Sequence, residues 1–173
     1  YVWDNGAHGL VVAKNEIGSK GPLDYTSTVG VIFTAGAGSS YATAFRSGIG
    51  AGFANTTNII AKSTYYNQPF IYTADLAAVG TIYAALIAQQ YANATNVSTP
   101  LFGDWYLPSK YELELLKTNL TLISGSGFNI THDYWSSTEV NSGYAYYYKS
   151  ADGNVNNYRG TNNTAFVIPI RQF

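Results

Sequence analysis

His132, Asp133 and Ser136 are the residues of this chain whose types could do covalent chemistry. A serine hydroxyl, a histidine base and a carboxylate to orient it are the parts of a hydrolase triad, and here they sit almost side by side in sequence. Neither a G-x-S-x-G elbow nor an H-E-x-x-H pair accompanies them. They read as a turn ahead of a strand, and no catalysis is expected. Asp4-Asn5-Gly6 and Asp152-Gly153-Asn154 offer the hard oxygens that calcium accepts, but neither belongs to a spaced acidic loop; both read as turns. The absence of cysteine excludes disulfides, thiol nucleophiles and Cys-ligated zinc. No metal or other cofactor is expected.

Binding of anions is the sharper possibility. The formal charge is −1, which argues against a strongly basic surface of the kind that binds nucleic acid. The distribution says more. No acid lies between Asp24 and Asp75, where the only charges are Arg46 and Lys62. From residue 141 to the end, Lys149, Arg159 and Arg171 face the single Asp152, whereas acids crowd residues 104–139. The molecule is therefore expected to be electrostatically two-sided. Lys149 and Arg159 flank the Asp152-Gly153 turn, so one hairpin should carry both. Arg46, Lys62, Lys149 and Arg159 are the candidate polyanion ligands, through charge-assisted hydrogen bonds to sulfate or carboxylate. Arg171 is expected to pair instead with a buried acid such as Glu139. The 16 tyrosines and abundant Gly, Asn, Ser and Thr suit both binding loops and strand faces.

These residues must be positioned by a single α+β domain spanning 1–173, two to three helices packed on short antiparallel strands. The length fits one domain with a sizeable core. No apolar run approaches the ~20 residues needed to cross a bilayer. Strands are expected at His8–Ala13 and Val29–Phe33, with a turn at Gly18, Gly21 and Pro22. Residues 36–52 are too rich in glycine for a stable helix. Helices are expected at about 55–62 and 74–91, the latter from the spacing of Leu76, Val79, Tyr83, Leu86 and Ile87. Residues 93–103 read as a polar loop. Ser109 and Glu112 form a capping box ahead of a third helix with a Leu113, Leu116, Leu120 stripe. Beyond Gly127 the period becomes two: strands at 134–139 and 144–149, a turn at Asp152-Gly153, a return strand at 154–159, and a final stretch, 165–173, that closes the sheet. Pro169 should lie at an edge or bulge. Trp105 and Trp135 are expected in the core.

Four ordered motifs carry a resemblance. They are Ile49-Gly50-Ala51-Gly52-Phe53-Ala54-Asn55-Thr56-Thr57, then Trp105-Tyr106-Leu107-Pro108-Ser109 with Glu112-Leu113, then Tyr134-Trp135-Ser136-Ser137-Thr138, and the closing Val167-Ile168-Pro169-Ile170-Arg171-Gln172-Phe173. Over residues 30–173 the chain resembles the bacterial extracellular family named after the C-terminal domain of the Legionella collagen-like protein. One position departs: many members have arginine where Ile168 stands. The resemblance implies a C-type-lectin-like architecture. It also implies an adhesin head at the cell surface, a homotrimer that binds sulfated glycosaminoglycans such as heparin and supports host attachment, virulence and biofilm. It implies neither membrane insertion nor nucleic-acid binding. Some C-type-lectin-like folds hold calcium through a Q-P-D triplet, but Gln68-Pro69-Phe70 lacks the acid. The alternatives are a structural trimerisation head for a collagen-like stalk and a neutral-sugar lectin. The chain begins at Tyr1 and is expected to be part of something longer.

Overall fold

A computed structural model describes residues 3–4, 6, 8–17, 31–32, 43–66, 83–91, 104–119, 128–160 and 163–173. In chain order the elements are β1 (Trp3–Asp4), β2 (Gly9–Val12), β3 (Val31–Ile32), α1 (Ala51–Tyr66), α2 (Ala84–Gln90), α3 (Lys110–Thr118), β4 (Tyr134–Asn141), β5 (Tyr144–Lys149), β6 (Asn154–Gly160), β7 (Thr164–Ala165) and β8 (Ile170–Gln172). The fold is α+β. Three small antiparallel sheets run in the orders β1-β2-β8, β3-β7 and β4-β5-β6.

The helices form for different reasons. α3 starts at the expected capping box: Ser109 accepts from the Glu112 N–H, and the Glu112 carboxylate accepts from the Ser109 N–H. Its apolar stripe buries Leu113 and Leu116 completely; Leu120 lies outside the described residues. α1 is longer than the expected 55–62 and begins directly after Gly50, whose φ of +80° suits only glycine. Its buried stripe runs through Gly52, Asn55, Thr56 and Ile59, the i, i+3, i+4, i+7 spacing of one face, here filled largely by small and polar residues. α2 is shorter than its apolar period suggested. Tyr83, expected inside the helix, is extended and caps it without a side-chain hydrogen bond. Residues 74–82 of that expectation lie outside the described residues, as do the Gly18–Pro22 turn, the 93–103 loop and Gln68–Phe70.

β4, β5 and β6 form the meander anticipated from the period of two. Gly153, at φ +62°, closes the β5–β6 turn, and its N–H donates to the Lys149 carbonyl at 2.8 Å. β4 is buried from Tyr134 through Glu139, so Trp135 lies in the core with Tyr147, Ala145 and Val155. At 25 cal/mol per Å², burying a ring of this size supplies roughly 3 kcal/mol or more of transfer free energy.

The C-terminal stretch departs from expectation. It does not extend the meander. β8 pairs with β2 in the register Leu10↔Gln172, Val11↔Arg171 and Val12↔Ile170, and β7 pairs with β3. Apolar alternation marks a strand but not its partner. The contact with β4 is a single bridge, in which Trp135 N–H donates to the Phe166 carbonyl and Phe166 N–H to that of Asp133. Pro169 sits between ladder segments, where only its carbonyl is used, accepting from Ala13 N–H at 2.9 Å. Ile168 is fully buried. Among the described residues no helix is long and apolar enough to cross a membrane.

Candidate functional site

Two of the four motifs, residues 49–57 and 105–113, converge on one buried carboxylate. Glu112 is 0% exposed. Its Oε1 accepts from Gly50 N–H at 2.8 Å and the Tyr106 hydroxyl at 3.0 Å; its Oε2 accepts from Ser109 N–H at 2.8 Å and Gly52 N–H at 3.1 Å. The acid of the capping box thus also clamps the start of α1, sixty residues earlier. A Cβ at position 52 would stand 2.5 Å from Oε2 and 2.7 Å from the Leu107 carbonyl, so only glycine allows this approach. Burial first, then the neighbouring charge of Glu112, raises the Tyr106 phenol far above its ordinary value.

Neighbouring polar residues of the motifs extend the clamp. Asn55 donates to the Arg46 carbonyl at 2.7 Å and accepts from the Arg46 N–H at 3.3 Å. The Thr138 hydroxyl donates to the same carbonyl at 3.0 Å and accepts from Lys110 N–H at 2.9 Å. Thr56 accepts from Leu107 N–H, and Ser137 N–H donates to the Pro108 carbonyl. The Tyr134–Glu139 stretch is therefore framework. Ser136, buried, donates to the Tyr146 carbonyl; His132 Nδ1 lies 2.8 Å from Glu16; Asp133 takes Arg159 and Ser150. The three residues with triad chemistry bond to three separate sets of partners.

The four candidate cations fall into two pairs. Arg159 is bound inside the molecule: it ion-pairs with Asp133, donates to the Thr164 carbonyl at 2.6 Å and lies 4.3 Å from the centroid of the Tyr147 ring. Burial pushes the Asp133 carboxyl up, but two hydrogen bonds from Ser150 and the Arg159 guanidinium outweigh it, and the net shift is downward. Lys149 sits 3.3 Å from Asp152. Arg159 pairs across the ladder with Ala145 and Lys149 with Asn154, so they occupy opposite ends of the hairpin. Arg46 and Lys62 are exposed, and among the described residues neither has a carboxylate in ion-pair distance. The Arg46 backbone is pinned at both its N–H and its carbonyl while its side chain reaches solvent. Lys62 stands two helical turns beyond Asn55, roughly 10 Å along α1.

Arg171 pairs with Asp104 at 3.3 Å, not with Glu139, and lies 5.8 Å from the Trp105 ring. Glu139 instead accepts from Ala44 N–H at 3.1 Å. With Glu112 and Glu139 both interior, the acid-rich segment contributes far less charge to the surface than its sequence suggested. A shallow open cleft lined by His8, Ile49, Gln172 and Phe173 lies where the loop before α1 meets the C-terminus. Among the described residues no cluster of potential metal ligands occurs.

Sequence reasoning overlooked Lys110. Its Nζ stands 4.3 Å from the centroid of the Tyr146 ring. Tyr146 is the cross-strand partner of Tyr158, and Tyr158 meets Tyr144 edge to face, centroids 5.6 Å apart. An aromatic period of two in β5 with an aromatic in β6 was the signal for this cluster. No protein-family model matches the chain, and no curated protein does either.

Proposed function

We propose that this domain is a non-catalytic adhesin head that binds sulfated glycosaminoglycans or related anionic polysaccharides at the bacterial surface, working as a homotrimer of C-type-lectin-like domains. The reading rests on the four-motif resemblance. The observation that carries it is the fate of the charges. Carboxylates are drawn inward, to backbone N–H groups at Glu112 and Glu139 and to Arg159 at Asp133. Arg46 and Lys62 are left outward on a clamped frame. A backbone already fixed beneath Arg46 spares part of the ordering cost of meeting an anion. Three copies around one axis would multiply a weak contact through effective concentration.

Heparin binding by Arg46→Ala/Lys62→Ala and by Lys149→Ala/Arg159→Ala, with oligomeric state followed by light scattering, tests the reading. The first variant is expected to lose affinity and keep its assembly; the second is expected to bind nearly as the wild type. A wild-type protein that does not bind heparin at low salt would leave a structural trimerisation head as the better account.

A further inference from the structure

We infer that the open end of the β5–β6 hairpin is a second subsite, one that stacks a single pyranose ring against Tyr144 and Tyr158 and reads an anionic substituent on that ring with Lys110. The inference rests on the polysaccharide-binding reading above, but on different residues.

Three observations support it. Tyr158 is 61% exposed and Tyr144 44% exposed, in strands whose ladder fixes their backbones. Other aromatics of the same meander are covered: Tyr134 and Tyr148 pack on Phe128. The two open rings stand at 89° to one another, a corner that offers one ring face and one ring edge. The C–H face of a sugar is held on such a ring face much as other apolar groups are held by aromatic rings, and preformed rings with two rotatable bonds lose little entropy on binding.

The cation is the second clue. Lys110 occupies the first position of α3, where the helix dipole disfavours positive charge. Helix stability therefore does not account for it. No carboxylate among the described residues pairs with it, and its ammonium is held over Tyr146, beside the Tyr158 strand. A ring stacked on Tyr158 would bring a carboxylate or sulfate within its reach. Asn156, exposed two residues before Tyr158 on the same strand, adds an amide for a sugar hydroxyl.

The test uses the whole domain and three oligosaccharides: a sulfated heparin fragment, a non-sulfated uronate-containing fragment, and a neutral fragment of equal length. Affinities are measured at low and high salt for Tyr158→Ala, Tyr158→Phe and Lys110→Ala. Tyr158→Ala should weaken the anionic ligands roughly three- to tenfold at both salt concentrations, while Tyr158→Phe binds as the wild type. Lys110→Ala should weaken them only at low salt, and leave the neutral fragment unchanged. Response to both anionic fragments assigns Lys110 to charge in general; response to the sulfated fragment alone assigns it to sulfate. Wild-type binding that Tyr158→Ala leaves intact overturns this subsite while sparing the polysaccharide reading; a wild type that binds none of the three overturns both.

Discussion

Replacing Glu112 by glutamine tests whether one buried carboxylate holds the start of α1 against the motif at residues 105–113. Glutamine keeps the shape and loses one acceptor. In its better orientation the amide oxygen faces Gly52 and Ser109, and the nitrogen faces the Tyr106 hydroxyl, which can turn to accept, and the Gly50 N–H, which cannot. The half-buried Gly50 donor then costs about 1–2 kcal/mol, and the two bonds retained at the oxygen each fall by about 1 kcal/mol when the charge is removed. Relief from burying a charge offsets part of this. The expected net loss is about 2–3 kcal/mol, or a fall in Tm of roughly 5–10 °C for a domain of this size. Differential scanning calorimetry and urea denaturation measure both quantities. A variant melting within about 2 °C of the wild type, with an unchanged urea midpoint, would refute the assignment of Glu112 as the clamp.

Gly52→Ala should destabilise by roughly 1–3 kcal/mol through overpacking against Glu112 and Leu107, although the same change in an open helix would stabilise by up to about 1 kcal/mol; urea unfolding gives the sign. Ser109→Ala should cost about 1 kcal/mol through loss of the cap, read from the same assay. The lowered carboxyl of Asp133 contributes stability that is present above its unfolded value of about 3.9 and lost as pH falls through its lower folded value, so acid unfolding followed by circular dichroism should be flatter below pH ~4 in Asp133→Asn. Tyr106 and Tyr134 are both raised by burial; their contribution is full below about pH 10 and is lost as pH rises towards their folded values. Alkaline unfolding of Tyr106→Phe should accordingly be shallower than that of the wild type.

The capping box at Ser109 and Glu112 was legible because a cap is a local contract among four residues. The reach of Glu112 to Gly50 and Gly52 was not, since a local role already accounts for an acid at that position. The same contact explains why α1 starts earlier than the sequence suggests: Gly50 and Gly52 weaken helix propensity there, yet Gly52 is glycine to admit the carboxylate. Tyr144 to Lys149 and the Asp152-Gly153 turn were legible from period and turn chemistry. The partner of β8 was not, because apolar alternation fits any sheet edge of matching length. Among the candidate cations, sequence charge could not distinguish Arg159, which Asp133 holds from across the meander, from Arg46, which no described carboxylate holds.

Heparin affinity across a salt series, for the wild type and for Arg46→Ala/Lys62→Ala, tests the central claim most directly. Counterion release gives a wild-type slope of log affinity on log salt of about −2 to −3 per protomer engaged, of which Arg46 and Lys62 supply about −1 to −2 that the variant loses, leaving the share of Lys110. A wild-type affinity that does not change with salt, or a slope that the double variant leaves intact, would contradict electrostatic recognition by these two cations.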